Sequence, residues 1–541
     1  MLLGARAYAQ DGRPVAALGK GTVPVVAPSP RPFLRLPKGA LATIWAPQLG
    51  EASRDLADLL RVVELVEPNQ EQVLLGALGN SPVAGLYRAL RDPSHYEARG
   101  IDGAQPLGLT LSEDGEALVI GFGVSDRPKF LRWLAELDEP KFLPLLGEQV
   151  MVLGAATELP VACHSIERRA HCQVGADPDP APLASLENVL KVESTGRSSP
   201  ALQAAMEALP PQARLYGIFE PTVWVDLLGK RRLEAIRQRN RFEPPSTKRA
   251  LDEQLKDSEL RWRRTGRSFN GGALALVRKS TSVELHAELG LSSAGQKALE
   301  ELAPKQSARG PVARWAETPA LIHGQVNVDP RLAAALLEAL EVPPVPIEAL
   351  DGAMGLLVYG IDCDCDAAKK RVDPKPLDWA FLFPSAIAVG RSDRGLLDSW
   401  PEAISEPVAS DPSGNPEPRR QVLRTTANGR FEVQVLNEAL VFSAGPGSAA
   451  ASLRRFKNLS AAPLEVVPGP NLELQVHLKA IDAAVAANAV GLGHRPELLM
   501  VEAMRLKLRP LIEVIDEASL VARPVPDRSR LSLRLRLGRP K

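Results

Sequence analysis

The chain lacks most of the features that would assign it to a functional class at once. Four cysteines in 541 residues are few, and aromatic residues make up only 4%. Lys plus Arg number 65 and Asp plus Glu number 65, so no net charge draws the whole chain onto nucleic acid or an anionic membrane. No apolar run approaches the roughly 18 residues of a membrane span, which excludes a transmembrane helix. The motifs G-x-S-x-G, H-E-x-x-H and G-x-x-x-x-G-K-[ST] are also missing.

The composition is otherwise that of an ordinary globular protein with many prolines and glycines. Apolar residues make up 45% and charged residues 24%, which argues against a wholly disordered chain. The 48 prolines and 41 glycines divide the sequence into many short segments. At roughly 150 residues per domain, the length predicts three or four domains.

The strongest signal is an internal duplication. The motif G-V-S-D-R begins at Gly123 and G-R-S-D-R begins at Gly390, each after an apolar strand. Each motif leads into a helix-like stretch that contains a tryptophan, Trp133 or Trp400. Upstream, the segment Ile-Asp-Gly at 101–103 matches Leu-Asp-Gly at 350–352. The matched order of elements indicates two related halves.

A short alternating strand followed by an amphipathic helix recurs four times. The strands are predicted at 41–46, 215–219, 322–328 and 472–478. Asp329 is predicted to cap the third helix and Pro330 to open it. Hairpins are predicted from 272–279 with 282–291, and from 519–524 with 531–537.

These patterns predict an α+β fold of two similar halves, each of antiparallel sheets flanked by amphipathic helices, in the order A-B-A-B. Units A1 and A2 are expected at 33–175 and 310–460, and units B1 and B2 at 205–305 and 464–541. Residues 1–32 form a tail with a Pro-rich spacer, and 176–204 form a linker.

The repeated strand, Asp- or Pro-opened helix and hairpin resemble an uncharacterised bacterial family of exported, envelope-associated proteins with duplicated strand–helix units. The resemblance covers most of residues 33–541 and rests on patterns rather than fixed residues. It implies a location in the cell envelope. It carries over no catalytic residue.

The N-terminal residues offer two interpretations. Two A-x-A patterns at 5–7 and 7–9 precede Gln10, as at the end of a cleaved secretory signal whose start lies upstream of Met1. An ordinary Ala-rich tail is the alternative. The sequence leaves open whether Met1 is the true start.

The cysteines fall into two local pairs. Cys163 and Cys172 flank His164 and His171, a set that suits zinc, a local disulfide or free thiols. Neighbouring Cys and His on a strand point to opposite faces, which counts against four-fold zinc coordination. Cys363 and Cys365 lie in D-C-D-C-D, and the redox state and pairing of all four cysteines stay open.

The acidic segment is a candidate calcium loop. Asp362, Asp364 and Asp366 alternate, and Asp373 stands at the twelfth position, where such loops place a carboxylate. Ala367 replaces the usual glycine and three cations follow it, so a solvated surface insertion is the alternative. We therefore assign no metal ligand from sequence.

Three histidines lie on polar strand faces. His323 alternates with Gln325 and Asn327, His477 alternates with Gln475, and His286 lies between two glutamates. Either these faces share one polar ligand groove, or they are the wet faces of antiparallel sheets.

Basic segments also have two interpretations. Residues 230–267 hold 13 Lys or Arg against 6 Asp or Glu, which fits a phosphate-binding or anionic-partner surface, or two charged amphipathic helices. In the final strand, the leucines at 531, 533, 535 and 537 are predicted to face a core, with Arg534 and Arg536 facing outward.

The sequence therefore predicts a non-enzymatic binding or scaffold protein of the cell envelope or periplasm, with unknown ligand and partner. The alternatives are a hydrolase or other enzyme with a divergent site, and a cytoplasmic location. Nucleic acid is not expected as a partner, no catalytic residue or cofactor is assigned, and the oligomeric state stays open. Gly121-Phe122-Gly123 is not interpreted as a dinucleotide site, because Asp126 occupies the third glycine position.

Overall fold

We analysed a computed structural model of the chain. The structure describes residues 36–37, 40–55, 57, 69–79, 81–112, 115–155, 159–175, 182–195, 200–239, 256, 259–260, 264, 266–303, 308–309, 320–339, 347, 350–358, 385–391, 420–424, 430–436, 439–444, 466–467, 471–488, 496–525, 527 and 529–538. The chain divides into two compact units, residues 1–279 with 285–292 and residues 280–284 with 293–541. Both contain antiparallel sheets and helices, which confirms the α+β class.

The first unit holds ten strands and part of an eleventh among its described residues. The strands are β1 Ala40–Ala46, β2 Ile101–Asp102, β3 Leu107–Ser112, β4 Leu118–Val124, β5 Lys141–Leu145, β6 Glu148–Leu153, β7 Val161–Ile166, β8 Arg169–Val174, β9 Leu215–Phe219, β10 Phe269–Arg278 and, from residue 285 on, β11 Ser282–Leu291. Its helices are α1 Gln70–Leu78, α2 Pro82–Arg91, α3 Arg127–Leu137, α4 Ala184–Thr195, α5 Pro200–Glu207 and α6 Pro221–Arg239. The antiparallel order is β5-β6-β7-β8-β4-β3-β1-β9-β10, with β2 also beside β4.

The second unit is also built of antiparallel strands and helices. Its strands are β12 Ala308–Arg309, β13 Ile322–Asn327, β14 Leu350–Val358, β15 Ser385–Arg391, β16 Arg420–Arg424, β17 Arg430–Leu436, β18 Ala439–Ala444, β19 Val466–Val467, β20 Asn471–His477, β21 Glu517–Pro524 and β22 Arg530–Gly538. Its helices are α7 Ser293–Leu302, α8 Pro330–Ala339, α9 Leu478–Asn488 and α10 Pro496–Val514. The antiparallel order is β16-β17-β18-β15-β14-β13-β20-β21-β22, and β12 pairs with β19.

Both faces of the first sheet are packed. On one face, Phe122 of β4 lies in a buried cluster with Leu86 of α2 and Phe130 of α3. On the other face, Trp45 and Tyr216 stack at 5.7 Å between ring centroids, in a cluster that includes residues of α5. Aromatic and aliphatic contacts between strand and helix side chains thus hold the helices against both faces of this sheet.

The repeated motif at Gly123 is a strand-to-helix junction. The Asp126 side chain accepts a hydrogen bond from the Lys129 amide at 3.1 Å and caps α3, as its position before a helix-opening Arg-Pro pair favours. Gly100 has φ +69°, and its carbonyl oxygen accepts a hydrogen bond from the Ser125 amide at 2.9 Å. A helix, α3, therefore follows the motif and contains Trp133, as the sequence predicts.

The predicted strand–helix pairs are confirmed at their described residues. Strands β9, β13 and β20 each lead directly into a helix. Asp329 accepts from the Arg331 amide at 2.9 Å where Pro330 opens α8. The predicted final hairpin is β21 paired with β22.

The Pro93–His95 turn carries a pH-sensitive carboxylate. Hydrogen bonds from the Ser94 hydroxyl and the His95 ring lower the pKa of Asp92 from 3.8 to about 2. Because this pKa is depressed, the carboxylate stabilises the turn above its unfolded pKa, and that stabilisation is lost as pH falls toward 2. We expect an NMR titration to place the Asp92 pKa near 2, and a value near 3.8 would contradict the described turn.

Some expectations lie outside the described residues. They include the N-terminal A-x-A patterns and Pro-rich spacer, most of 240–265 in the basic segment, and the whole acidic loop with Asp362, Cys363, Asp364, Cys365, Asp366 and Asp373. The proposed four-unit boundaries stay predictions.

Candidate functional site

The hairpin of β7 and β8 separates its cysteines from its histidines. Cys163 and Cys172 face each other across the two strands, with their Cα atoms 4.1 Å apart, and form a disulfide. Both lie in the buried cluster around Phe122. His164 and His171 are also directly opposite each other, but on the other face of the sheet, because successive side chains alternate. This geometry excludes joint zinc coordination by the four residues.

We expect this disulfide to stabilise the first unit measurably. The double variant C163A/C172A should lose about 2 kcal/mol of unfolding free energy, because the cross-link restricts the unfolded chain and both sulfurs are buried. Denaturant titration of wild type, reduced wild type and the double variant tests this. Full alkylation of Cys163 and Cys172 in denatured, unreduced protein from its own cells would contradict the disulfide.

A fully buried glutamine fixes α4 on the histidine face. The Gln173 side-chain amide donates to the carbonyl of Pro182 at 2.8 Å, and its oxygen accepts from the Leu186 amide at 2.9 Å. Leu186 and Val189 of α4 then pack on this face beside Val119. Helix α4 therefore covers the Gln173 end of β8.

The opposite end of β8 carries a cleft, here called the polar cleft. It is a shallow depression whose lining includes Gln105, Gly121, Gly123, Arg169 and His171. Gly121 pairs with His171 and Gly123 with Arg169 across β4 and β8. Guanidinium, imidazole and amide groups, all hydrogen-bond donors, thus border one opening.

Two glycines of β4 make room for the side chains that line the polar cleft. A Cβ at Gly121 would lie 3.0 Å from Cδ2 of His171, and a Cβ at Gly123 would lie 2.3 Å from Cβ of Gln105. Larger residues would displace the cleft's own polar side chains. The G-x-G pattern is therefore explained by side-chain space within β4 rather than by a phosphate-binding turn.

His164 extends the polar character of this face. Its Nε2 lies 2.9 Å from Oε2 of Glu148, whose side chain is 51% exposed while that of His164 is 5% exposed. Its Nδ1 is buried with no hydrogen-bond partner. Among the residues that the structure describes, no group of three or more His, Cys, Asp or Glu is arranged to hold a metal ion.

The second unit presents an apolar sheet face, here called the leucine face: Leu356, Leu472, Leu474, Leu520, Leu533 and Leu535. Cross-strand pairs run from Leu356 through Gly324, Leu474 and Leu520 to Leu535 on five neighbouring strands. Leu356 and Leu472 are each 41% exposed, and the other four leucines are partly exposed. The β22 leucines, which were predicted to face a core, are therefore covered only in part.

A similar row crosses the first unit. Ile120, Leu109, Ile44, Gly217 and Leu274 are paired in turn across five strands. The four larger side chains are partly exposed. Ile120 also packs against the Phe122 cluster, so the helices cover part of this row.

The polar faces of β13 and β20 do come together. His323 pairs with Gln475 and Gln325 with Glu473, so the two sets share one side of the second sheet. The Gln475 amide donates to Glu517 at 2.9 Å. His323, Gln325 and Asn327 are buried, so the wet-face interpretation is wrong for β13.

The sequence missed the polar cleft and the exposure of the leucine face. The G-x-G in β4 was a visible signal, but its partners on β8 are distant in sequence.

The described helices contain none that is long and apolar enough to cross a membrane.

No protein-family model and no curated protein matches the chain. Three solved structures, crystal forms I, III and IV of TP0453, align with it at 7 or 8% sequence identity. The alignments cover 47–50% of this chain and 76–88% of TP0453, with TM-scores of 0.24 or 0.25. TM-scores this low carry no argument about fold or function.

Proposed function

We propose that the chain is a non-enzymatic binding protein of the cell envelope that holds an apolar ligand against the leucine face. The observation that carries this proposal is the cross-strand row of partly exposed leucines in the second unit, with Gly324 as its member on β13. A contiguous exposed apolar surface is typical of a binding site.

Burial supplies the binding energy in this proposal. Covering the exposed part of Leu356 and Leu472 would contribute about 1 kcal/mol for each side chain. The half-buried leucines beside them extend the same surface along β20, β21 and β22. An elongated apolar molecule suits a row that crosses five strands.

The cell-envelope location is supported by the buried disulfide. Stable disulfides are typical of oxidising compartments and rare in the cytosol. Cys163 and Cys172 are 2% and 0% exposed, which favours a structural cross-link over a catalytic one.

We also propose that the two units are copies of one ancestral unit. The central strands of the two sheets have the same order, β8-β4-β3-β1-β9 in the first unit and β18-β15-β14-β13-β20 in the second. Gly123 is the next-to-last residue of β4, and Gly390 is the next-to-last residue of the corresponding strand β15. The shared G-x-S-D-R motif supports this relationship.

The leucine face is tested with diphenylhexatriene, a neutral fluorophore that emits strongly only in apolar surroundings. We expect the full chain to bind it, and the double variant L356Q/L472Q to bind it roughly ten-fold less tightly, because two polar amides replace apolar contacts. Leu506→Gln is the matched control, since Leu506 is 52% exposed on α10 and outside the leucine face. Equal weakening by L506Q and by the double variant would refute the proposal.

A further inference from the structure

We propose that the hairpin of β5 and β6 inserts its turn and its outer edge into the surface of a phospholipid bilayer. This element, here called the edge hairpin, comprises residues 141–149 of the first unit and is separate from the leucine face. The partner is a zwitterionic lipid surface, which the edge hairpin contacts through apolar side chains.

The edge hairpin is apolar where it is most exposed. Every residue from 141 to 149 except Leu145 is exposed. Phe142 and Leu146 are each more than half exposed, and Leu143 between them is exposed as well. Among the described residues β5 pairs only with β6, so β5 forms an edge of the sheet. Large apolar side chains grouped at one exposed edge indicate contact with an apolar partner.

The turn of the edge hairpin carries a leucine in an unfavourable conformation. Leu146 has φ +52° and Gly147 has φ +83°, so both central residues of this two-residue turn are left-handed. Such turns favour Asn or Asp before Gly, because a larger side chain is strained in this region. Leucine therefore does not serve the turn, and its exposed side chain points to a contact outside the chain.

The placement of the apolar side chains favours lipid over a protein surface. Phe142 and Leu143 are neighbours on β5, so they point to opposite faces of the sheet. A protein partner docked on the sheet would cover one face, whereas lipid surrounds an inserted edge on both. Pro144 provides no N–H, which disfavours the addition of a partner strand along β5.

The neighbouring hairpin adds an apolar side chain at the same end of the sheet. Strands β6 and β7 are antiparallel, with Leu153 opposite Val161. The turn that precedes β6 and the turn that follows β7 therefore lie at one end. Ile166, the last residue of β7, is exposed there and extends the apolar surface beyond the edge hairpin.

The charges around these turns are nearly balanced. Three exposed cations, Lys141, Arg168 and Arg169, accompany two exposed acids, Glu148 and Glu167. So small an excess gives little attraction to an anionic surface and suits zwitterionic headgroups. Because all five side chains are exposed, their charged ends can stay in the headgroup layer while the apolar side chains enter the acyl boundary.

The test is flotation of the full chain with phosphatidylcholine vesicles, with and without phosphatidylglycerol, in low and in high salt. Wild type should float with the neutral vesicles in both salts, because apolar contact is not screened. Leu146→Asn should weaken vesicle binding about ten-fold, because an amide replaces the inserted leucine. In denaturant titration the same variant should be at least as stable as wild type, since Asn suits the turn.

Leu159→Asn is the matched control, since Leu159 is an exposed leucine that precedes β7, at the other end of that strand from Ile166. It should leave flotation unchanged. The variant L356Q/L472Q should float as wild type does, which makes the result independent of the leucine face. The proposal is overturned by equal weakening in L146N and L159N, by loss of flotation in L356Q/L472Q, by no flotation of wild type, or by flotation that requires phosphatidylglycerol and disappears in high salt.

Discussion

Replacing Gly100 with alanine should destabilise the first unit by about 3 kcal/mol. Gly100 has φ +69°, where a Cβ costs about 1–2 kcal/mol. That Cβ would also lie 2.2 Å from the carbonyl oxygen of Asp126 and 3.0 Å from the Phe130 amide nitrogen. Both atoms are backbone at the start of α3, so relief requires the helix to move.

Substitutions at two other glycines distinguish the cost of the positive φ from the cost of the steric clash at Gly100. Gly147 has φ +83° but no atom within 4 Å of a built Cβ, so Gly147→Ala should cost only about 1 kcal/mol. Gly76 lies in α1 with open space around it, and Gly76→Ala should stabilise the helix by about 1 kcal/mol. Hydrogen exchange of the β4 and α3 amides measures the local effect. Equal costs at Gly100 and Gly147 would contradict the described junction.

Phe130→Ala should destabilise the core of the first unit by about 4 kcal/mol. Phe130 is fully buried and meets the Phe122 ring edge-on, with centroids 5.6 Å apart. Its ring also lies 5.9 Å from that of Trp133. Truncation removes these aromatic contacts and leaves a cavity between α3 and the sheet.

Phe142→Ala is the control for the loss of a phenyl ring. Phe142 is 56% exposed on β5, so its truncation should change the unfolding free energy by less than about 0.5 kcal/mol. Denaturant unfolding of the two variants provides the comparison. A cost at Phe130 no greater than that at Phe142 would show that the described core is wrong.

The sequence predicts local elements well because their signals are local. Asp126 and Asp329 cap helices through backbone amides two or three residues away, so the caps are visible in short motifs. The strand preceding Gly123 follows from its apolar run. The disulfide stayed one of three alternatives, because strand register decides whether Cys163 faces Cys172.

The candidate sites depend on pairing between distant strands. Gly121 meets His171 only because β8 lies beside β4, with β5, β6 and β7 joined outside it. Period-two alternation predicts that the β22 leucines share one face, but it does not say how much of that face other elements cover. The structure leaves Leu533 and Leu535 partly exposed.

Native mass spectrometry of the chain purified from its own cells tests the central claim most directly. Wild type should carry an apolar molecule that is lost on denaturation, and L356Q/L472Q should lack it while L506Q retains it. A wild-type chain with no added mass, or the same adduct on wild type and L356Q/L472Q, would contradict an apolar ligand on the leucine face.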